Sequence, residues 1–362
     1  MNQPYIEDVS RIPSPALLFF EEIIRRNAAA AIELAGGAER LWPHVKTHKC
    51  PRIVDLMMEM GIHRFKCATL TEARMLAQCG APYILLAYPL VGPNIGRFVE
   101  LQAEFPASVF FAIGDDESQI NALSEASQKV NRRTNLLLDL DLGMHRTGVP
   151  LDSAEALYRY CAAMPGLALA GLHGYDGHIR LRELSERADA ASPAVEAAER
   201  IRASVQADGL PCDILVLGGT PTFPVHARRE GTYLSPGTSF LMDTGDMAYP
   251  DLPFTPAAYV LTRVVSHPIP GRFTLDLGTK GIASEMSGPR GQIIGWPQAQ
   301  AAIHSEEHWA FDVPQGDDVP PIGQALLVIP AHICPTCALY DAAWVVRGGK
   351  VADRWEIVRG RE

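Results

Sequence analysis

The sequence predicts an α/β protein: a closed (β/α)8 barrel of the TIM type followed by an all-β domain. From about residue 20 to 245, short β-branched or leucine-rich runs alternate with longer stretches of helical periodicity. This is the pattern of repeated βα units around a parallel sheet. After about residue 250 the pattern changes to short alternating strands separated by proline and glycine turns. We therefore predict a barrel at residues 15–245 and a β domain at 246–362, completed by residues 1–14.

The barrel prediction depends on eight apolar runs of strand length. They lie near residues 39–46, 63–67, 83–87, 108–112, 134–140, 168–173, 213–217 and 231–235. Several are separated by segments of helical periodicity, such as "TEARMLAQCG", "DSAEALYRYCAAM" and "ELSERADAASPAVEAAERIRASVQADG". Eight strands with intervening helices are the content of a closed (β/α)8 barrel.

The composition of the chain excludes some partners. The formal net charge is −10 and the pI is about 5.6, whereas binding to nucleic acid requires a concentrated basic surface. No segment has the pattern of a signal peptide, and no apolar run is long enough to cross a bilayer. We therefore expect a cytoplasmic protein without membrane contact. Seven cysteines in a scattered, odd-numbered arrangement predict reduced thiols.

Polar residues follow nearly every predicted barrel strand, which is where such barrels place their chemistry. Reading past the eight runs gives "KTHK", "KCAT", "YPLVGP", "GDD", "MHRTG", "GYDGH", "GGTPT" and "PGTSF". Lys46 ends the first run, and a lysine in a partly desolvated barrel mouth is available to form a Schiff base. A solvated loop is the alternative interpretation of this segment.

Two glycine-rich loops follow the seventh and eighth runs, in "LVLGGTPTF" and "SPGTSF". Glycines let backbone N–H groups approach an anion, and barrels often bind phosphate at these two loops. Either loop alone is also typical of an ordinary turn. Together with a lysine on the first strand they predict a phosphorylated carbonyl cofactor, and pyridoxal 5′-phosphate (PLP) satisfies both requirements.

The segment "AHICPTC" in the predicted β domain is a candidate metal site. On a strand, His332 and Cys334 point to the same face, and an imidazole beside a thiolate is a preferred pair for a zinc-like ion. Two protein ligands leave positions open for water or substrate, which suits catalysis. The alternative is a core histidine beside an inert buried cysteine.

Two further segments supply candidate residues. Arg146 in "GMHRTG" is a candidate contact of a cofactor ring or substrate carboxylate, and a surface turn is the alternative. Tyr175, Asp176 and His178 in "HGYDGH" are titratable and clustered at a strand end. We select Tyr175 and His178 as candidates for proton transfer, and Tyr175 also as a cofactor contact beside Arg146.

Motifs along the whole chain resemble the D-threonine aldolase and D-serine dehydratase family, which is similar to alanine racemase in having a PLP-binding barrel followed by a β domain. They are "PHVKTHK", "GMHRTG", "GGTPT", "PGTSFLMD", "DLGTK" and "HICPT...LYD". The resemblance implies that Lys46 carries PLP and that His332 and Cys334 bind a divalent metal. It places around the phosphate Gly218, Gly219, Thr220, Gly237 and Thr238. It also implies a homodimer and substrates of D configuration.

The resemblance further implies a metal-dependent lyase that acts on D-configured β-hydroxy-α-amino acids, by retro-aldol cleavage or by dehydration and deamination. The His-x-Cys pair resembles the dehydratase branch, whereas aldolases of the family carry His-x-Asp. A thiolate favours zinc, while a carboxylate admits manganese or magnesium. The alternatives are an amino-acid racemase, a non-catalytic PLP carrier and a cofactor-free Schiff-base aldolase.

Overall fold

The computed structural model describes residues 4–316 and 318–361. Its strands, in chain order, are β1 (Ala16–Phe20), β2 (Arg64–Cys67), β3 (Tyr83–Leu86), β4 (Val109–Gly114), β5 (Thr134–Leu140), β6 (Leu167–Gly174), β7 (Ile214–Leu217), β8 (Tyr233–Leu234), β9 (Ala258–Ser266), β10 (Arg272–Leu275), β11 (Gly291–Ile293), β12 (Gln300–His304), β13 (Trp309–Asp312), β14 (Ala325–Pro330), β15 (Ala342–Arg347) and β16 (Lys350–Glu356). Its α-helices are α1 (Glu21–Ala35), α2 (Pro51–Glu59), α3 (Leu70–Gln78), α4 (Pro93–Glu104), α5 (Glu117–Lys129), α6 (Ala154–Ala162), α7 (Leu184–Ala207), α8 (Phe223–Ala227) and α9 (Ile333–Cys337). Short 3-10 helices lie at Ala38–Arg40, Val45–Thr47, Thr238–Phe240 and Asp246–Ala248.

Seven parallel strands, β2 to β8, pair in chain order, and the segment from Leu41 to His44 closes the ring. Leu41 forms a parallel bridge with Leu234 on β8, and His44 forms one with Lys66 on β2. Pro43 has no N–H to donate, which limits this first barrel element to isolated bridges. The predicted (β/α)8 barrel is confirmed, with its strands at the predicted runs.

Part of the barrel interior is filled by a cluster of apolar side chains. The Trp42 ring meets Phe111 edge-on at 5.3 Å, and its Nε1 donates to the Phe65 carbonyl oxygen at 2.7 Å. Since side chains alternate along a strand, their neighbours face the surrounding helices instead. The buried members of this interior cluster are Trp42, Leu85, Phe111, Ile113, Leu137 and Val216.

Local sequence signals start and end the barrel helices. α3 begins after Thr69, whose Oγ1 accepts a hydrogen bond from Glu72 N at 3.1 Å, and Asp116 caps α5 in the same way. α1 ends at Gly36, whose φ of 77° is readily adopted by glycine. The three helical segments named in the sequence correspond to α3, α6 and α7, which confirms those predictions.

A mixed sheet follows the barrel, with the strand order β12-β13-β10-β9-β1-β15-β16 and with β14 pairing β9 and β11. β1 is central: Ala16 is antiparallel to Leu261 on β9, and Leu18 is parallel to Trp344 on β15. This strand therefore lies in the mixed sheet, although the predicted barrel range of 15–245 includes it. The predicted strands after residue 250 are present as β9, β10, β14, β15 and β16.

The segment predicted to complete the β domain, 1–14, packs on this sheet where the structure describes it. Glu7 N donates to the Gly349 carbonyl oxygen at 2.8 Å, and Ile12 is buried beside β9 and β15. Residues 1–3 of this segment, and positions 317 and 362 of the predicted β domain, lie outside the described residues. The domain division itself stays a prediction.

Two predictions from composition concern membranes and thiols. Within residues 4–316 and 318–361, no helix has both the length and the apolar content needed to span a bilayer. The seven cysteines, all in the described part of the chain, are free in the structure.

Candidate cofactor site

Two adjoining cavities open at the carboxyl ends of the barrel strands and share His44, Lys46 and Tyr175. The first, called here the loop cavity, lies against the loops after β7 and β8 and against the residues before α9. The second, called the barrel cavity, has a volume of about 590 Å³, within the range of small-molecule sites. Lys46 therefore stands where both cavities meet.

The residues of the basic cluster "KTHK" have different roles: Lys46 lies in the site, whereas His48 and Lys49 make structural contacts. Lys46 lies in the 3-10 turn after the first barrel element, and its N–H faces His44 Nδ1 at 3.4 Å. Lys49 instead pairs with the buried Glu72. His48 is buried, and its Nδ1 accepts from Cys50 N at 3.1 Å. Burial lowers the pKa of His44 well below its usual value, and the charge of Lys46 lowers it further.

The glycine and threonine loops form a wall of the loop cavity that is suited to an anion. Thr220 Oγ1 accepts hydrogen bonds from Gly237 N at 3.2 Å and Thr238 N at 3.0 Å. Two backbone N–H groups thus point at one oxygen at the cavity wall, and a phosphate oxygen that replaced the Thr220 hydroxyl would accept from both. Gly219 also lines this cavity. The wall fits the phosphate of PLP.

Gly218 lies behind this wall and does not appear among the lining residues. Its φ is 78°, and a Cβ at this position would lie 2.6 Å from Cδ2 of His226. His226 Nε2 contacts Asp176 Oδ2 at 2.6 Å, and Thr222 Oγ1 donates to Asp176 Oδ1 at 2.7 Å. Burial acts to raise the pKa of Asp176, but the hydrogen bonds from His226 and Thr222 outweigh it and lower the pKa. Asp176 therefore supports the loop and does not line either cavity.

We expect Gly218→Ala to lower the free energy of unfolding by about 1 to 3 kcal/mol more than Gly209→Ala does. Gly209 has a similar φ of 79° but open space around its Cβ position, so both variants share the cost of a left-handed alanine, about 1–2 kcal/mol. Only the first also collides with His226. Urea denaturation of the two variants measures the difference, and equal losses would contradict this account of the loop.

Tyr175 stands among three basic side chains. Its ring centroid is 5.8 Å from Lys46 Nζ, 5.7 Å from Lys66 Nζ and 5.0 Å from Arg146 Cζ. Burial raises the pKa of its hydroxyl. Arg146 lines the barrel cavity. His178 is exposed and lies near Gly143, outside the linings of both cavities.

The expectation that His332 and Cys334 lie on a strand is wrong. β14 ends at Pro330, His332 caps α9, and Cys334 belongs to the first turn of this helix. Pro335 is compatible with a first turn because no intrahelical partner exists there for its missing N–H. Thr336 Oγ1 donates to the His332 carbonyl oxygen at 2.8 Å, which stabilises the turn.

Both side chains nevertheless line the loop cavity. Cys334 Sγ donates to Thr47 Oγ1 at 3.2 Å, and His332 Nδ1 contacts Glu285 Oε1. Burial raises the pKa of the Cys334 thiol to about 11. In the described ranges no group of three or more His, Cys, Asp or Glu side chains is placed to hold a metal ion. The imidazole and the thiol are the predicted pair of metal donors, and both face this cavity.

Two carboxylates that sequence reasoning missed also line the loop cavity, Asp243 and Asp246. Asp243 Oδ2 accepts from Ile333 N at 3.0 Å, which anchors the start of α9. Burial, followed by the charge of Asp246, raises the pKa of Asp243 to about 7. The segment "FLMDTGD" carries these residues after the second predicted phosphate loop.

Sequence reasoning also missed a polar chain inside the barrel. Lys66 Nζ lies 2.8 Å from Ser235 Oγ and 3.2 Å from His173 Nε2, and His173 Nδ1 lies 2.6 Å from Asp139 Oδ1. Each residue interrupts an apolar strand or follows one, in "RFKC", "LLLDL", "AGLHG" and "YLS". A polar residue within a buried strand requires a partner, and that requirement was the available signal.

These features together define the alanine racemase class of folds: the barrel, a lysine at the end of its first strand, the glycine and threonine loops after β7 and β8, and a following mixed sheet. Family models agree: the alanine racemase N-terminal domain matches residues 21–244 and the putative serine dehydratase domain matches residues 257–346. The chain belongs to the D-threonine aldolase and D-serine dehydratase family, whose members are PLP-dependent lyases.

Relatives of known activity match nearly the whole chain. D-threonine aldolase of Arthrobacter sp. is 30% identical, covering 97% of this chain and 93% of the relative. D-threo-3-hydroxyaspartate dehydratase of Delftia sp. strain HT23 is 24% identical, covering 96% and 98%. The crystal structure of D-threonine aldolase from Filomicrobium marinum superposes with a TM-score of 0.89 at 27% identity, covering 96% of this chain and 95% of that one.

Proposed function

We propose that the chain is a PLP- and divalent-metal-dependent lyase that acts on D-configured β-hydroxy-α-amino acids. The observation that carries this proposal is the lining of one cavity. Lys46 lines it, as do the loops at Thr220 and Thr238 and the pair His332 and Cys334. A lysine, an anion wall and a pair of metal donors are thereby available to a single small substrate.

For the cofactor, Lys46 Nζ would bind the PLP carbonyl carbon, and the loops at Thr220 and Thr238 would hold the phosphate. Bound PLP supplies an electron sink that stabilises negative charge at the substrate Cα. Arg146 and Tyr175, which line the cavity at Lys46, orient the ring and the substrate carboxylate. The Lys46 amine would take the proton from the substrate Cα. No step is assigned to the exposed His178.

For the metal, His332 Nε2 and Cys334 Sγ would be the protein ligands, with zinc favoured by the thiolate. A divalent ion at this position supplies polarisation of the substrate β-hydroxyl. Glu285, which contacts the other ring nitrogen of His332, fixes the orientation of the imidazole, as an outer carboxylate commonly does.

Two reactions are compatible with these residues. Dehydration and deamination requires removal of the Cα proton and departure of the β-hydroxyl, which gives a 2-oxo acid and ammonia. Retro-aldol cleavage requires a base for the hydroxyl proton and gives an aldehyde. Cys334 favours dehydration, and the 30% identity with a D-threonine aldolase supports aldol cleavage as the second candidate.

The test is the set of products formed from D-threonine by the purified chain with PLP and with zinc, manganese or EDTA. We expect 2-oxobutanoate and ammonia with zinc, and loss of both with EDTA because a chelator competes well with a metal held by two proposed protein ligands. Glycine and acetaldehyde would select the aldolase instead. Formation of a threonine isomer that persists in EDTA would contradict the lyase and favour a racemase.

We also propose a homodimer, as in the family that the motifs resemble. Sedimentation equilibrium of the purified chain measures its mass, and a mass near the 39.4 kDa of one chain would contradict the dimer.

A further inference from the structure

Lys66 is a second lysine in the proposed cofactor site and is held inside the barrel. It extends from β2 to contact His173 on β6 and Ser235 after β8, and His173 in turn contacts Asp139 on β5. All four residues are at least 96% buried. Lys66 nevertheless lines the barrel cavity beside Lys46. Its amine is thus buried among fixed partners and adjacent to the proposed cofactor site.

The direction of each hydrogen bond follows from its partner. The Asp139 carboxylate only accepts, so His173 Nδ1 carries the proton and the Nε2 lone pair faces Lys66. Ser235 Oγ lies 2.8 Å from the Gly218 carbonyl oxygen and donates to it, which leaves its lone pairs for Lys66. Ser235 is uncharged, and burial lowers the pKa of His173 and so favours its neutral ring. The Asp139 carboxylate contacts His173 rather than Lys66.

The surroundings of Lys66 disfavour its protonated form, which would be a second cation beside Lys46. Burial lowers the pKa of Lys66 to about 7, and the positive charge of Lys46 is the next largest cause. The charged or titratable side chains that face it are Lys46, Arg146, Asp139, Asp176, His44, His173 and Tyr175. A ligand that brings negative charge reverses this balance.

Ser235 connects Lys66 to the anion wall. It lines the loop cavity, lies two residues before Gly237, and bonds the backbone of Gly218. Lys66 is thus connected through the Ser235 hydroxyl to both loops that would hold a phosphate. The attraction between a protonated Lys66 and a bound phosphate is stronger in a buried site of low dielectric constant.

We propose that Lys66 is a positioning residue that exchanges a proton with solvent: it gains a proton at Nζ when a phosphate-bearing ligand binds at the loops, and loses it when the ligand leaves. This inference rests on the proposed PLP site. Proton and ligand then bind cooperatively, since each raises the affinity for the other. Ligand affinity is highest below pH 7, where Lys66 is already protonated, and falls as pH rises above 7 because a proton must be taken up.

The test uses the full chain and pyridoxine 5′-phosphate, which has no aldehyde and therefore does not react with Lys46. Calorimetric titration at pH 8 in two buffers of different ionisation enthalpy gives the number of protons taken up. We expect the wild type to take up about one proton more than Lys66→Met, and its Kd to rise up to about tenfold per pH unit between pH 7 and 9. The proton changes of the ligand itself cancel in the comparison of the two proteins.

Two further variants keep the experiment decisive. Lys280→Met removes an exposed lysine that pairs with Glu306 and Glu307, and it should behave as the wild type. Lys66→Arg keeps a permanent charge, so it should bind the ligand without the extra proton even if Lys66→Met fails to fold. Equal proton uptake in the wild type and in a folded Lys66 variant would overturn the inference. Failure of the wild type to bind pyridoxine 5′-phosphate at any pH would overturn the proposed cofactor site as well.

Discussion

Lys46→Ala is expected to lose the visible absorption of bound PLP and to reduce lyase activity by about a thousandfold or more. Lys46 is the lysine at the junction of the loop and barrel cavities, beside the anion wall. Alanine removes both the covalent attachment point and the amine proposed to move the Cα proton. Absorption spectra, together with borohydride reduction and peptide mapping of the wild type, measure the attachment directly.

Lys49→Met is the matched control within the same basic cluster. Lys49 pairs with the buried Glu72 and lines neither cavity, so this variant should lose stability while the folded protein retains visible absorption and activity. A reduced PLP label found on Lys49 or Lys66 in the wild type, with Lys46 unlabelled, would refute the proposed attachment.

Cys334→Ala is expected to lower zinc affinity and lyase activity by at least about a hundredfold, since even outer partners of metal ligands contribute 10- to 100-fold. PLP absorption should persist because Lys46 and the loops are unchanged. Equilibrium dialysis followed by metal analysis measures zinc, and absorption measures PLP in the same sample. Cys334→Asp should restore divalent-metal binding with a shift in preference toward manganese.

The control for this experiment is Cys337→Ala on the same short helix. Cys337 is fully buried and does not line the loop cavity, so its variant can lose stability but should keep zinc. Unchanged zinc binding in Cys334→Ala would exclude the thiol as a metal ligand.

The fold was predictable because the barrel repeats one physical pattern eight times. Runs such as "YILLA" and "TNLLLDL" correspond to β3 and β5, since a strand covered on both faces is apolar throughout. β1 escaped prediction because its residues, Ala16–Phe20, have the same apolar character as a barrel strand. Only long-range pairing with β9 and β15 assigns it to the mixed sheet.

The site was predictable where a residue follows a strand and less so where it interrupts one. Lys46 and the loops at Gly219 and Gly237 come directly after barrel elements, and they line the loop cavity. Lys66 and His173 escaped because their partners are distant in sequence, and the sequence does not reveal which buried polar groups meet across a barrel.

The metal motif illustrates a separate limit of pattern reasoning. Side chains at positions i and i+2 can face one cavity in two ways, either along a strand or at the start of a helix. The sequence predicts the strand geometry for His332 and Cys334, and the structure has the helical one. The "CP" dipeptide was the available signal, because proline is tolerated in a first helical turn but interrupts a central strand.

The central position of β1 sets an order of events during synthesis of the chain. All five of its residues are buried, yet the strands on either side of it, β9 and β15, are translated only after the entire barrel. The nascent chain must therefore carry an apolar strand whose two edges stay unpaired until β9 and then β15 leave the ribosome. During synthesis this strand therefore requires protection, either by a chaperone or by transient contacts with the barrel.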